Sequence, residues 1–220
     1  PKKMSLLSQA ELYFSIGVPF ETIWINRIQS VHPDLKIIPL HDTTYKNTVP
    51  EHTKHHSHFI EDPHIWTSPA RVKVIAQKIK DTLAHAKPQK KKYFEANLQA
   101  FSNDLDMLDK DIRNILTKKN KHRFMVFHPA WSYFAKDYDL RQVAIELEGK
   151  EPGARSLKKI IEKAKKLEVK VIFVQKQFSL SAAENIAKMI GATIHEMDPL
   201  AEDYLENMRR TAKAISGELQ

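Results

Sequence analysis

Cysteine is absent from the 220 residues. No disulfide framework can form, and no thiolate can serve as nucleophile or metal ligand, so any metal site must be built from His, Asp and Glu. The absence suits either redox compartment. Glycine is scarce, with five in the whole chain. No GxSxG elbow and no phosphate-cradling glycine loop occurs, and no HExxH pattern supplies a metallohydrolase base. No apolar run approaches the ~18 residues that a membrane span needs. The chain opens at Pro1 with no signal peptide, which leads us to expect a processed or trimmed product whose address has been removed.

What is present is an ordinary globular composition, 42% hydrophobic and 28% charged. It suffices for one large domain or two small lobes. The formal charge of +8 permits an acidic partner. The lysines are nevertheless scattered along helix faces, and the one dense knot, "KPQKKKYF", opens a long helix. No RNA-reading or helix-turn-helix pattern accompanies them, so the expectation is a solvated basic surface and no nucleic-acid partner.

Periodicity sets out the elements. Glu11–Ile16 and Leu35–Leu40 read as strands around a helix with Phe20, Ile23, Trp24, Ile28 and Val31 at helical spacing. Ser68 caps a helix that starts at Pro69 and turns Val72, Ile75, Ile79 and Leu83 inward. Phe94, Leu98, Phe101, Leu105, Leu108, Ile112 and Ile115 then alternate steps of four and three. This predicts a helix from about Gln89 to Lys118, roughly 45 Å long at 1.5 Å per residue. With no second heptad segment to pair with, it reads as a spine packed along two lobes. Beyond it, strands at Phe124–Phe127, Gln142–Leu147, Val169–Val174 and Ala192–Met197 alternate with helices. Ser156 is the expected cap of the first and Gly191 the terminator of the next. Strands joined by helices predict the α/β class, with parallel sheets covered on both faces.

Histidine is where the sequence departs from the ordinary. Five of the eleven, His52, His55, His56, His58 and His64, fall within "EHTKHHSHFIEDPHIW". The run is interrupted by other residues and lies in mid-chain, unlike an affinity tag. Chance bias in a surface loop and metal chemistry remain as readings, and the polar segment 41–62 is long for a loop in a compact domain. Ligands of open α/β sheets bind beyond the carboxyl ends of the strands. His128 follows one strand and Asp198 another, and His64 stands in a turn stiffened by Pro63 and shielded by Trp66. Two imidazoles and a carboxylate make a reasonable divalent-metal set. Each also has an ordinary reading: His128 as a hydrogen-bonded structural residue, Asp198 as a helix cap, His64 as a turn residue.

Four stretches in series carry a resemblance: "DPHIWTSPARVKVIAQKI", "FMVFHPAWSYFAKDYDL", "EGKEPGARSLKKIIEKAKKLEVKVIFVQKQFS" and "MDPLAEDYLENM". Together they resemble the metal-binding solute-binding proteins of bacterial ABC transporters, most of all the zinc-binding periplasmic members. The resemblance runs from Pro1 to near the end of the chain. It implies two α/β lobes, each a parallel sheet with flanking helices, joined by one long rigid helix with a metal in the cleft. The implied division is a metal-binding lobe at 1–87, a linker helix at 88–119 and a second lobe at 120–220. It also implies that His64, His128 and Asp198 stand at the metal, with Glu151, before Pro152, behind the ligands or structural. Gln175 and Lys176 depart from the family's usual Glu-Pro at that point.

A further family histidine belongs to a segment that would precede Pro1, so the expectation is a first lobe lacking its opening strand and helix. Manganese-type relatives carry a carboxylate where His128 stands, and imidazole suits zinc. The resemblance therefore implies a periplasmic, monomeric, non-catalytic zinc carrier whose partner is the membrane permease. A manganese or broad divalent-metal carrier is the alternative within the class, and a metal-dependent hydrolase the alternative outside it. His52, His55, His56 and His58 would form an auxiliary, zinc-gathering loop.

Overall fold

A computed structural model describes residues 7–41, 62–117, 122–146, 153–178 and 180–218. Its elements in chain order are β1 (Leu12–Ser15), α1 (Pro19–Val31), β2 (Lys36–Pro39), α2 (Pro69–Ala86), α3 (Lys91–Leu116), β3 (Arg123–Val126), α4 (Ser132–Asp137), β4 (Arg141–Ala144), α5 (Ala154–Lys166), β5 (Val171–Val174), α6 (Leu180–Ile190), β6 (Thr193–Glu196) and α7 (Tyr204–Glu218). Short 3₁₀ turns at Ile65–Thr67 and Pro88–Lys90 precede α2 and α3. The class is mixed α/β, as the alternation of elements predicts. Among the described residues β1 and β2 form one parallel pair, and the other four strands form a parallel sheet in the order β4-β3-β5-β6.

The four-stranded sheet holds most of the core, and its strands bury both faces. Phe124, Val126 and Phe173 point to one side, against Leu105, Leu108, Ile112 and Leu116 of α3, Trp131 and Phe134 around α4, and Met208, Ala212 and Ile215 of α7. Met125, Phe127, Ile172 and Val174, one residue out of phase, meet Ala164 of α5 and Ala183, Ile186 and Ala187 of α6. That two-residue alternation within continuous apolar runs is what a covered parallel strand requires.

The spine is α3, 26 residues long and thus about 39 Å. It begins two residues after the expected start because Pro88 opens a 3₁₀ turn first. Its seam is buried only in the second half, from Leu105 on; Phe94 and Leu98 are half-buried. The helix packs along α2 and α7, and its buried second half shares one core cluster with the sheet.

Two local expectations are corrected. Helix α5 starts at Ala154 with Gly153 as its cap residue, not at Ser156: the Leu157 N–H donates to the Gly153 carbonyl at 2.9 Å. The apolar stripe begins only at Leu157, so hydrophobic spacing dates the helix one turn late. In α1 only Ile28 of the expected stripe is fully buried, while Phe20, Ile23 and Val31 are 60%, 60% and 79% exposed. Among the described residues, those around α1 leave most of that stripe uncovered. The tight entry to α1 is nevertheless well made. Gly17 has φ +83, and an added Cβ would press on the His41 ring at 3.2 Å. At α6 the expected terminator holds, with Gly191 at φ +71.

Candidate metal centre

Strand register determines what stands around His128. Val126 pairs with Ala144 of β4 and with Phe173 of β5. Two residues further along each strand, His128, Glu146 and Gln175 are therefore level with one another beyond the carboxyl ends. The Nδ1–H of His128 donates to Glu146 Oε2 at 2.6 Å, and the Gln175 side-chain amide donates to the His128 carbonyl at 3.2 Å. Glu146 is 3% exposed. A carboxylate accepts only, so the shared proton belongs to Nδ1, and in the neutral ring Nε2 keeps its lone pair. Phe178 stacks on the imidazole, with ring centroids 4.7 Å apart.

His64 is held in the same way from a distant part of the chain. Its Nδ1–H donates to Asp62 Oδ1 at 2.6 Å, and its backbone N–H donates to the same oxygen at 3.0 Å. The hydroxyl of Ser132 donates to Asp62 Oδ2, and that of Tyr133 donates to the Asp62 carbonyl at 2.9 Å. Burial works to raise the Asp62 pKa, but the hydrogen bonds from His64, Ser132 and the His64 backbone outweigh it and hold the carboxyl below its usual range. The following 3₁₀ turn closes with the Thr67 hydroxyl donating to the His64 carbonyl at 2.9 Å. Ser68, the cap of α2 as expected, accepts from the Arg71 N–H at 3.1 Å and donates to Asp137.

The two imidazoles thus converge, with ring centroids 5.2 Å apart and planes at 77°. Both have Nδ1 fixed by a carboxylate, which in the neutral ring leaves the lone pair on Nε2. A carboxylate behind each histidine fixes ring orientation and raises ligand basicity, the usual support of a zinc-binding imidazole. With no thiolate in the chain, nitrogen donors of this kind suit zinc better than the harder divalent ions.

Asp198 stands apart from the pair. Val174 pairs with Glu196, so Asp198 emerges beyond β6, two strand spacings or roughly 10 Å across the sheet from β3. Its Oδ1 accepts from the Leu200 N–H at 2.9 Å and from Gln177 at 3.4 Å. This is a local turn, not a cap on α7, which starts only at Tyr204. Among the described residues, no three His, Asp or Glu side chains are gathered closely enough to hold a metal ion. What joins Asp198 to the histidines is Trp66: its indole N–H donates to the Pro199 carbonyl at 2.8 Å, and its ring meets His64 edge-on at 5.3 Å. His52, His55, His56, His58 and Glu151 lie outside the described residues.

Asp62 and Glu146 are the functional side chains that the sequence reading passed over. Asp62 had a signal, an acid two residues before a histidine in a Pro-stiffened turn. Glu146 had none until β3 and β4 were known to be neighbours.

Residues 1–217 fit the family model described as "Zinc-uptake complex component A periplasmic". The chain belongs to that family. The crystal structure of ZnuA superposes with a TM-score of 0.88 at 38% identity, covering 100% of this chain and 84% of that one. A ZnuA deletion mutant with zinc bound gives 0.87 at 37% identity, covering 100% and 83%. The zinc-binding protein AdcA of Streptococcus pyogenes is 31% identical over 181 residues, 75% of this chain and 35% of its own. The high-affinity zinc uptake system protein ZnuA of Bacillus subtilis is 32% identical over 170 residues, 72% and 53%. The chain therefore spans about a third of the length of the one and about half of the other. Parallel sheets flanked by helices and a long helix are features it shares with the solved family members.

Proposed function

We propose that this chain captures Zn²⁺ for an ABC importer and presents it to the membrane permease, working as a periplasmic monomer without catalysis. The observation that carries the proposal is the convergence of His64 and His128, each oriented by its own carboxylate. Membership of the zinc-uptake family supports the choice of metal, as does imidazole at position 128. Asp198 completes the ligand set, and Glu151 supports it from behind. The division into a lobe at 1–87, a linker at 88–119 and a lobe at 120–220 is supported by one sheet before α3 and another after it. The proposed function needs the bound ion to be exchangeable, and nitrogen ligands that must be deprotonated make affinity fall as pH is lowered.

Titration calorimetry tests the reading. The wild-type chain is expected to take up zinc tightly and manganese weakly, and His128→Ala to lose tight zinc binding altogether. Wild-type affinity in His128→Ala would overturn the assignment. A chain lacking residues 51–58 is expected to lose only weak, additional zinc. Unchanged stoichiometry in that variant would remove the auxiliary role proposed for His52, His55, His56 and His58.

A further inference from the structure

The three proposed ligands come from two places: a preset pair of imidazoles, and a carboxylate roughly 10 Å across the sheet. Something must keep the second within reach of the first. The peptide that carries Asp198 is pinned on two sides. Asn207, 7% exposed, donates from its side chain to the Asp198 carbonyl at 2.7 Å. Trp66 donates from its indole to the next carbonyl, that of Pro199, at 2.8 Å. Proline at 199 fixes φ there and removes a further degree of freedom. The backbone is thus held while the carboxylate, among the described residues, is tied to the Leu200 N–H and to Gln177. It can leave those partners by rotating its own side chain.

Trp66 also packs its ring edge against His64, and the His64 turn is anchored to α4 through Asp62, Ser132 and Tyr133. The indole therefore touches both the His64 ring and the backbone beside Asp198.

We propose that Trp66 is a positioning residue for zinc, a strut that holds the Asp198 peptide at a fixed distance from the imidazole pair so that the carboxylate swings from Leu200 onto the ion. The proposal rests on the zinc reading given above. The strut acts through Asp198, which makes its energetic signature specific. Removing the indole N–H should weaken zinc binding only while Asp198 is present to be positioned.

A double-mutant cycle tests this, with zinc affinity measured by calorimetry and folding checked by thermal unfolding. Trp66→Phe keeps a ring beside His64 and deletes the donor. It is expected to weaken zinc binding about tenfold, the lower end of what outer supports of a metal ligand contribute. In the Asp198→Ala background the same substitution is expected to change affinity by less than about twofold. Equal losses in both backgrounds, or wild-type affinity in Trp66→Phe, overturn the proposal. The unmutated protein gives a second readout: the Trp66 indole N–H resonance should shift on zinc addition. An unmoved resonance in zinc-loaded wild type overturns it too. A wild-type chain that binds no zinc overturns the zinc reading and the strut together. A zinc-binding wild type with an additive cycle overturns the strut alone.

Discussion

The region around β1, α1 and β2 and the region around the four-stranded sheet are built from similar residues and held in different ways. The larger sheet buries apolar side chains on both faces, and Trp131, Phe124, Phe134 and Phe173 are almost wholly removed from water. The smaller pair leaves Phe20, Ile23 and Val31 largely exposed and keeps Ile28 and Leu35 as its buried aliphatics. Its centre is a charge. Glu21, 5% exposed, accepts from the Tyr13 hydroxyl at 3.0 Å and from the backbone N–H groups of Ile16, Gly17 and Val18 at 3.0, 2.7 and 3.2 Å. One region is organised by packing, the other by a carboxylate that gathers a turn. Both proposed histidines fasten to the packed region, although His64 precedes the spine in sequence. A ligand pair that must keep a fixed separation belongs where side chains have least room to move.

Truncation should expose the contrast most strongly. Phe173→Ala, on the face of β5 that meets the α3–α7 layer, is expected to cost about 3–5 kcal/mol of global stability. Ile23→Ser, on the exposed side of α1, should stay within about 0.5 kcal/mol. Chemical denaturation of both variants checks this. A large loss in Ile23→Ser would mean that the smaller region relies on a packed face after all.

The next effect is local. Glu21→Gln keeps the shape but offers one acceptor oxygen to a cluster of donors. It is expected to cost about 1–3 kcal/mol, confined to the smaller region. Hydrogen exchange should speed up at Ile16, Gly17 and Val18 and remain unchanged at Met125 and Ile172. Uniform loss of protection would show that the two regions unfold as one unit.

Much of this was legible beforehand, for a physical reason. Continuous apolar runs such as Val171–Val174 and the seam of α3 encode strands and helix directly, because burial dictates period. His64 and His128 were legible as candidates because one follows a strand and the other stands beside Trp66 in a stiff turn. Glu146 was not. Its meeting with His128 depends on β3 and β4 lying side by side in one register, a property of tertiary pairing that no local pattern carries. The exposure of α1 was illegible for the same kind of reason: its spacing is amphipathic, and only its tertiary neighbours decide how much of it is covered. Ser156 shows the reverse case, a residue with good capping chemistry outcompeted by a chain path that turns at Gly153.

The smallest expected effect separates the regions by pH. Burial first, and then the hydrogen bond to Glu21 and its charge, push the Tyr13 phenol up to about 12. Burial, chiefly, pushes Tyr138 and Tyr204 in the packed region higher still. A phenol whose folded pKa is raised favours the folded state while both states are protonated. That contribution is complete below the unfolded value near ~10 and is lost as pH climbs through the folded one. Tyr13 should therefore be the first of the three to ionise, and alkaline loosening should begin around Glu21, where a phenolate would face a carboxylate. A spectrophotometric titration at 295 nm is expected to lose its phase near pH 12 in Tyr13→Phe and to keep it in Tyr138→Phe. If Tyr138→Phe removes that phase instead, the packed region is the one that opens first, and the contrast between the two regions is reversed.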